Sequence, residues 1–306
     1  MKVFVTGASG FVGQEVVRQL HEADYSIRIL ARNPNSRCVQ VTMSRYRVEV
    51  HPGDILDAAS LAGALTGVGA VVHLVGIISE CGRSTFKSVH IRGTQEIVTA
   101  AQKAGVRRFV QMSALGTRPN AASRYHQSKW AAEELVRKSG LEFTIFRPSL
   151  IYGPQDEFVN LFAKIIRLSP VVPLMGSPRA QFQPISVEAV AEAVAKSLGE
   201  PRSIGHTYDL CGPESLTLSE IVSAIEDVLQ RKRWKLRVPS WLARCQATSL
   251  ELLYPHLLRR APPLNRDQLV MLQEGNLGDA RPANELFGLR SVSFREGIAR
   301  YLGTDA

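Results

Sequence analysis

Thr6-Gly7-Ala8-Ser9-Gly10-Phe11-Val12-Gly13 is the stretch that decides how this chain is read. A short β-branched run, 2–6, leads into it. An amphipathic stretch, 14–23, with Val16, Val17 and Leu20 on one helical face, leads out. The three glycines therefore punctuate a strand-to-helix turn. There they permit a tight bend, let backbone approach a pyrophosphate and bring helix against sheet, while the helix N-terminus supplies free N–H groups and a positive dipole. A glycine triplet elsewhere reads as an ordinary loop. On the first strand-to-helix turn it points to a dinucleotide site built by Gly7, Ser9, Gly10, Phe11, Val12 and Gly13.

Working outward, strand-like runs recur at 26–31, 47–51, 70–75, 109–113 and 142–147, with helical patterns at 94–104 and 125–139 and helix-like segments after the third and fourth strands. Strands alternating with helical crossovers predict a parallel sheet covered on both faces, and the uniform apolarity of 71–75 suits a buried central strand. Beyond Pro148 the rhythm changes: prolines 154, 170, 173, 178 and 184 surround one helix, 158–168. A helix at 184–198 and a strand at 207–210 follow, and helices dominate from Ser215. The expected fold is α/β, a Rossmann-type doubly wound parallel sheet with a smaller, mainly helical C-terminal substrate domain. Residues 1–153 with about 184–212 would form the nucleotide-binding domain, and 154–183 with 213–306 the substrate or partner domain.

The end of the second strand bears on which dinucleotide binds. A carboxylate there would hydrogen-bond a ribose 2′-hydroxyl, but the sequence reads Ala31-Arg32-Asn33-Pro34. The Arg32 guanidinium suits a 2′-phosphate, which favours NADP(H) and leaves NAD(H) as the alternative. Gly53-Asp54-Ile55, after the third strand, places Asp54 toward an adenine amino group.

Tyr125-His126-Gln127-Ser128-Lys129 puts Tyr125 and Lys129 four apart, on one helical face. Alone this spacing is weak. Ser113, at the carboxyl end of the fifth strand and twelve residues upstream, sharpens it, because ligands of doubly wound sheets sit at carboxyl strand ends. Tyr125 would exchange a proton with a substrate oxygen, Lys129 would lower the tyrosine pKa, and Ser113 would hydrogen-bond the same oxygen. The plainer alternative is a surface helix with an aromatic packed beneath it.

With these motifs in hand, the chain resembles the extended or atypical short-chain dehydrogenase/reductase superfamily, also called the NAD-dependent epimerase/dehydratase family. The resemblance rests on 6–13, Gly53-Asp54, Val72-His73-Leu74-Val75-Gly76, Ser113, Tyr125 with Lys129, and Arg147-Pro148-Ser149-Leu150-Ile151-Tyr152-Gly153-Pro154, and it covers at least residues 1–212. Thr85-Phe86-Lys87-Ser88-Val89-His90, Ser113-Ala114-Leu115-Gly116, Ser123-Arg124-Tyr125 and Arg179-Ala180-Gln181-Phe182-Gln183-Pro184-Ile185 are similar to a bacterial branch related to the nucleotide-binding accessory subunit of respiratory complex I. The tail at 284–301 resembles the ending of extended members.

The resemblance implies a Rossmann-type fold and a bound NADP(H) or NAD(H). It places Ile55, Leu74, Val75, Gly76 and Lys129 along the cofactor, and Pro148 with Ser149 near the nicotinamide ribose. It also implies two functions: an oxidoreductase or epimerase acting on a small carbonyl, sugar-nucleotide or isoprenoid-like substrate, or a non-catalytic assembly or stability factor of a membrane complex that holds its nucleotide without turnover. Nucleotide sensing by a regulatory domain is a third.

Composition narrows the class. Apolar residues make up 45% and charged residues 21% of 306, so neither disorder nor a disulfide scaffold is expected. Cys38, Cys81, Cys211 and Cys245 form no C-x-x-C pair, and the seven histidines show no H-x-x-x-H spacing, so no metal site is expected. His73 reads as a satisfied core residue, His126 as pointing off the Tyr125/Lys129 face, and Trp130, Trp234 and Trp241 as core or interface aromatics. The 37 basic and 28 acidic side chains give +9; the densest basic run is Arg231-Lys232-Arg233-Trp234-Lys235-Leu236-Arg237, and a helical pattern with Leu250, Leu252, Leu253, Leu257 and Leu258 follows before Arg259 and Arg260. The segment reads first as a solvated face over a small helical core. Its alternative is a surface for an anionic membrane or a membrane complex. Nucleic acid is not expected as a partner, no substrate is named by the residues 154–183, and no signal sets the oligomeric state. The N-terminus lacks the long apolar core of a signal peptide, so the protein is expected in the cytoplasm or at the periphery of the inner membrane.

Overall fold

Alternation along the central strands dictates the layering. In the computed structural model, which describes residues 1–257, 262, 264–290 and 292–303, β1 (Lys2–Thr6) sends Val3 and Val5 to one face and Phe4 to the other. The chain continues through α1 (Phe11–Glu22), β2 (Ser26–Ala31), α2 (Arg37–Arg45), β3 (Val48–Pro52), β4 (Ala70–His73), α3 (Gly93–Lys103), β5 (Arg108–Met112), α4 (Arg124–Arg137) and β6 (Glu142–Pro148). Then come β7 (Ile151–Tyr152), α5 (Phe158–Leu168), β8 (Val171–Leu174), β9 (Gln181–Phe182), β10 (Ile185–Ser186), α6 (Val187–Ser197) and β11 (His206–Leu210). The C-terminal part carries β12 (Leu216–Thr217), α7 (Leu218–Val228), β13 (Trp234–Arg237), α8 (Ser240–Leu257), α9 (Arg266–Glu274), α10 (Arg281–Phe287) and α11 (Phe294–Leu302).

Seven strands form one parallel sheet in the order β11-β6-β5-β4-β1-β2-β3. This is the doubly wound arrangement, with its crevice where the loops after β1 and β4 diverge. One face packs against α1 and α6 through Val16, Val17, Leu20, Val190 and Val194; the other packs against α3 and α4 through Ile97, Ala101 and Val136. A third cluster joins Val159, Phe162 and Ile166 of α5 to Ile221 and Ile225 of α7 and to Phe294 and Ile298 of α11. A fourth, small one holds Ala243 and Ala247 of α8 against Leu269 of α9.

The expected strands are present, as are the helices given bounds above, with ends displaced by one to three residues in most. Strand β4 stops at His73 rather than at Val75; the Leu74 N–H still donates to Thr6 O of β1 at 3.1 Å, and 74–76 line the crevice. After β3 the expected helical segment is only a 3-10 turn, Ala58–Leu61, and after β4 a π-helical turn, Lys87–Arg92, runs directly into α3. The basic run is the main departure: Trp234–Arg237 is a strand, paired in parallel with β8, and the helix begins only at Ser240. Leu258, Arg259 and Arg260 lie outside the described residues.

Candidate functional site

The first turn of α1 has nothing to cap it. Gly10 precedes the helix without a side-chain hydrogen bond, and no acidic residue lies in the first turn, so the N–H groups there remain available to an anion. Gly7 has φ +77°, a left-handed conformation that suits glycine, and a Cβ on it would lie 3.1 Å from Leu74 C and Val75 N. A Cβ on Gly13 would lie 2.1 Å from Gly7 O, so the helix rests on the loop with no room for a larger residue.

Around this loop runs a cleft of about 460 Å³ that gathers Gly7, Ser9, Gly10, Arg32, Asp54, Ile55, Leu74, Val75 and Gly76 from the expected cofactor set. Asn33 and Ser36 join them beside Arg32. Arg32 is exposed and makes no ion pair among the described residues. One carboxylate oxygen of Asp54 accepts the Leu56 N–H at 2.9 Å.

Phe11, Val12, Gly13, Lys129, Pro148 and Ser149 do not line this cleft. The Phe11 ring sits by Gly153, where a Cβ would come within 3.1 Å of it, Val12 packs against the core, and Gly13 is the helix-to-loop contact. Pro148 ends β6, and the Ser149 hydroxyl donates to Asn276 Oδ1 at 2.8 Å while accepting the Gln183 N–H at 3.3 Å.

Helix α4 carries the second half of the site. Lys129 is buried, and its Nζ donates to Met112 O at 3.1 Å, at the carboxyl end of β5. The same Nζ lies 3.1 Å from where a Gly76 Cβ would be, so it abuts the cofactor cleft from behind. Burial pulls the Lys129 ammonium down to about 8, against the opposing pull of Glu133. Tyr125 stands one turn earlier. Its phenol is raised above the ordinary value, first by burial and then by the carboxylate of Asp267. Its ring lies in an aromatic nest with Phe86 at 5.9 Å, His90 at 5.5 Å and His126 at 5.3 Å.

Ser113 is brought to the same strand end but is already engaged. Its hydroxyl donates to Glu133 Oε1 at 2.5 Å. That carboxylate, 0% exposed, also accepts from Arg147 at 2.8 and 2.6 Å and from Arg137 at 2.6 Å. Both guanidiniums lie over the Trp130 ring, Arg137 at 5.1 Å and Arg147 at 5.8 Å.

Three participants escaped the sequence reading. His90, on the π-helical turn, accepts the Ile77 N–H on Nε2 at 3.0 Å, which leaves Nδ1 protonated to donate to Ser128 Oγ at 2.8 Å. Ser128 Oγ in turn donates to Tyr125 O at 2.6 Å. Burial, and then the charge of Lys129, lowers His90 to about 2, so the ring is neutral. Glu133 lies four residues after Lys129, a spacing that could have revealed it. Asp267, from α9, accepts the Arg124 and Tyr125 N–H groups, both at 2.8 Å, and the Ser123 hydroxyl at 2.9 Å, covering the N-terminus of α4. Nothing local in the sequence announces that contact.

His73 behaves as expected, bonded to Thr6 Oγ1 at 2.6 Å and Thr94 Oγ1 at 3.2 Å. His126 does not: rather than facing away, it is buried against the Tyr125 ring. Among the described residues no group of three metal-ligating side chains occurs, no helix is long and apolar enough to cross a membrane, and all four cysteines are free.

Comparison with known proteins sets this geometry in context. Residues 7–201 match the profile of a family described as NAD(P)H-binding. A protein named ceramide reductase, from Caulobacter vibrioides, is 33% identical over 78% of this chain and 73% of its own length. The mitochondrial NADH dehydrogenase (ubiquinone) 1 alpha subcomplex subunit 9 of Arabidopsis thaliana is 26% identical over 89% of this chain and 68% of its own length. Among solved structures, the UDP-glucose 4-epimerase of Thermotoga maritima superposes with a TM-score of 0.77 at 20% identity, covering 100% of this chain and 99% of that one, a likeness of fold.

Proposed function

The chain belongs to the NAD(P)H-binding family, and on that premise we propose that it binds NADP(H) and acts as an oxidoreductase or epimerase on a small carbonyl or alcohol substrate, with Ser113, Tyr125 and Lys129 at the reacting end. The observation that carries this reading is the position of Lys129, whose Nζ abuts Gly76 of the cofactor cleft while sharing a helix face with Tyr125. The residues fit such a cofactor: the uncapped α1 N-terminus and the close-packed Gly7 and Gly13 leave a cradle for a pyrophosphate. The bound nucleotide supplies or accepts the hydride.

The remaining roles fall to side chains of this protein. The backbone N–H groups of α1 would hold the pyrophosphate, Arg32 would pair with a 2′-phosphate, and Asp54 would accept from the adenine amino group. In the reducing direction the Tyr125 O–H gives its proton to the substrate oxygen, and in the oxidising direction it takes one back. Burial and Asp267 oppose formation of a tyrosinate, so the phenol stands above its ordinary value rather than lowered by Lys129 as the sequence suggested, and Tyr125 serves as a proton donor. Neutral His90 holds the Tyr125 ring in place and adds no competing charge.

Tyr125→Phe tests the proposal. NADPH oxidation with a panel of aldehydes and ketones is expected to fall about 100-fold or more, with NADPH affinity by calorimetry unchanged within about threefold. Equal turnover in both proteins would overturn it. One observation favours the alternative, a nucleotide held without turnover in a membrane assembly: the Ser113 proton is committed to Glu133, so Ser113 cannot donate to a carbonyl without releasing that carboxylate. The alternative expects no turnover in either protein and full NADPH retention in both.

A further inference from the structure

We propose that β13, the end of α5 and the outer side of α8 form one face that docks on an anionic phospholipid surface. On β13 the side chains alternate: Trp234 is 82% and Leu236 59% exposed, while Lys235 turns inward to Glu226 at 3.2 Å. The Trp234 backbone N–H donates to Pro170 O at 3.0 Å, which brings the start of β13 to the stretch that follows Leu168, exposed at the end of α5.

Three residues after β13, α8 begins. It rests on the body through two small buried side chains, Ala243 and Ala247. At 100° per residue, Trp241 and Leu252 fall within about 20° of each other and about 160° or more from Ala243, so they share the outer side. They are 66% and 62% exposed, and Leu253 flanks them at 54%. At about 200 Å² per indole, the two tryptophans alone leave on the order of 300 Å² of apolar surface open, already the size of the largest patch on an ordinary monomer.

The charge around this face names the occupant. From 228 to 250 the chain has six Lys or Arg and no Asp or Glu. Lys232 and Lys235 are neutralised by Asp227 and Glu226. Arg231 and Arg233 instead donate to the carbonyl oxygens of Arg167 and Ile166, at 3.1 and 2.7 Å, and so keep their charge. Arg237 and Arg244 are exposed and make no ion pair among the described residues. Exposed indoles and leucines ringed by uncompensated guanidiniums match the layers of a lipid interface: acyl chains for Leu, the headgroup zone for Trp, and phosphates for Arg. A helix lying in that plane needs no spanning segment.

The test is sedimentation of the full chain with vesicles of phosphatidylcholine alone or with about one-third phosphatidylglycerol. Binding to the anionic vesicles is expected to be at least about tenfold stronger, with a blue shift of tryptophan emission, and to weaken several-fold in high salt. The W234S/W241S double variant should lose about tenfold or more in partitioning, and R237Q/R244Q should lose the preference for anionic vesicles. Unchanged circular dichroism and NADPH affinity in both variants establish that they fold. The proposal is overturned if the wild type sediments with neither vesicle, or if the tryptophan variant binds as well as the wild type. A dimer in solution that W234S/W241S dissociates would overturn it in favour of a second copy on this face. NADPH titration is independent of these arms, so failure here leaves the cofactor reading standing.

Discussion

Replacing Glu133 by Gln removes one negative charge from a site where three partners converge, and the cost follows from how they are bonded. Glu133 is fully buried; Arg147 and Arg137 retain side-chain exposures of only 20% and 26%. The Gln carbonyl can still accept from Ser113, but its amide turns N–H groups toward guanidinium N–H groups. Two charge-assisted hydrogen bonds are thereby lost, each worth about 1.5 kcal/mol or more. Removing one partner of a fully buried pair costs about 3–5 kcal/mol, and the partial exposure of both arginines lets water take up some of that. The expected loss is therefore about 3 kcal/mol. At about 2–4 °C per kcal/mol this lowers the melting temperature by at least about 6 °C, measured by circular dichroism with a parallel urea titration. A melting point within about 2 °C of the wild type would refute the reasoning, since it would mean that the two guanidiniums are equally well solvated without the carboxylate. Glu133→Asp should fall between the two, because it keeps the charge but shortens the reach to Arg147.

Two further outcomes follow from the same geometry. Arg32→Asp should shift the ratio of NADPH to NADH affinity toward NADH by about tenfold or more, read by calorimetric titration, because a guanidinium facing the cleft becomes a carboxylate that repels a 2′-phosphate. Tighter binding of NADH than NADPH by the unmodified protein would sink the role given to Arg32. Lys129, held at about 8 in the folded chain against an ordinary value of 10.5, makes stability depend on pH. Between those values the unfolded chain binds a proton that the folded chain does not, so stability rises as pH rises. From pH 7.5 to 9.5 the wild type should gain about 2 kcal/mol relative to Lys129→Met in urea unfolding; parallel curves for the two proteins would show that the ammonium is not desolvated.

The sheet was legible because each of its signals is local. Val3 and Val5 against Phe4, the uniform run at 71–73 and the glycines at 7, 10 and 13 are read within a few residues, and they set strand, burial and turn together. The ends of β4 were less legible. Leu74 and Val75 are as apolar as the strand before them, and nothing in their side chains marks the place where, past the bond from the Leu74 N–H to Thr6 O, the backbone runs close by Gly7 instead of continuing the strand. The basic run at 231–237 misled for a related reason. Its charges suggested a solvated face over a small helical core, in a region where helices dominate, whereas Trp234 and Leu236 alternate with Lys235 in the period of a strand and β8 supplies the partner, Val171 opposite Trp234.

The site was legible to the extent that it depends on faces and no further. A spacing of four puts Tyr125 and Lys129 on one side of a helix, but it cannot tell where a hydroxyl proton goes. Ser113 was assigned to a substrate oxygen because it ends β5. In the fold that end also receives Glu133 from α4 and Arg147 from β6, and the carboxylate takes the proton first. Asp267 shows the same limit over a longer distance: it reaches back from α9 to the Arg124 and Tyr125 N–H groups, and its charge bears on the Tyr125 phenol. The C-terminal part therefore does more than close a pocket. By holding the first turn of α4, it fixes where Tyr125 stands, and Asp267→Ala should raise the KM for a substrate bound at Tyr125 more than the Kd for NADPH, because the residues that Asp267 holds, Ser123, Arg124 and Tyr125, are not among those lining the cleft around Gly7.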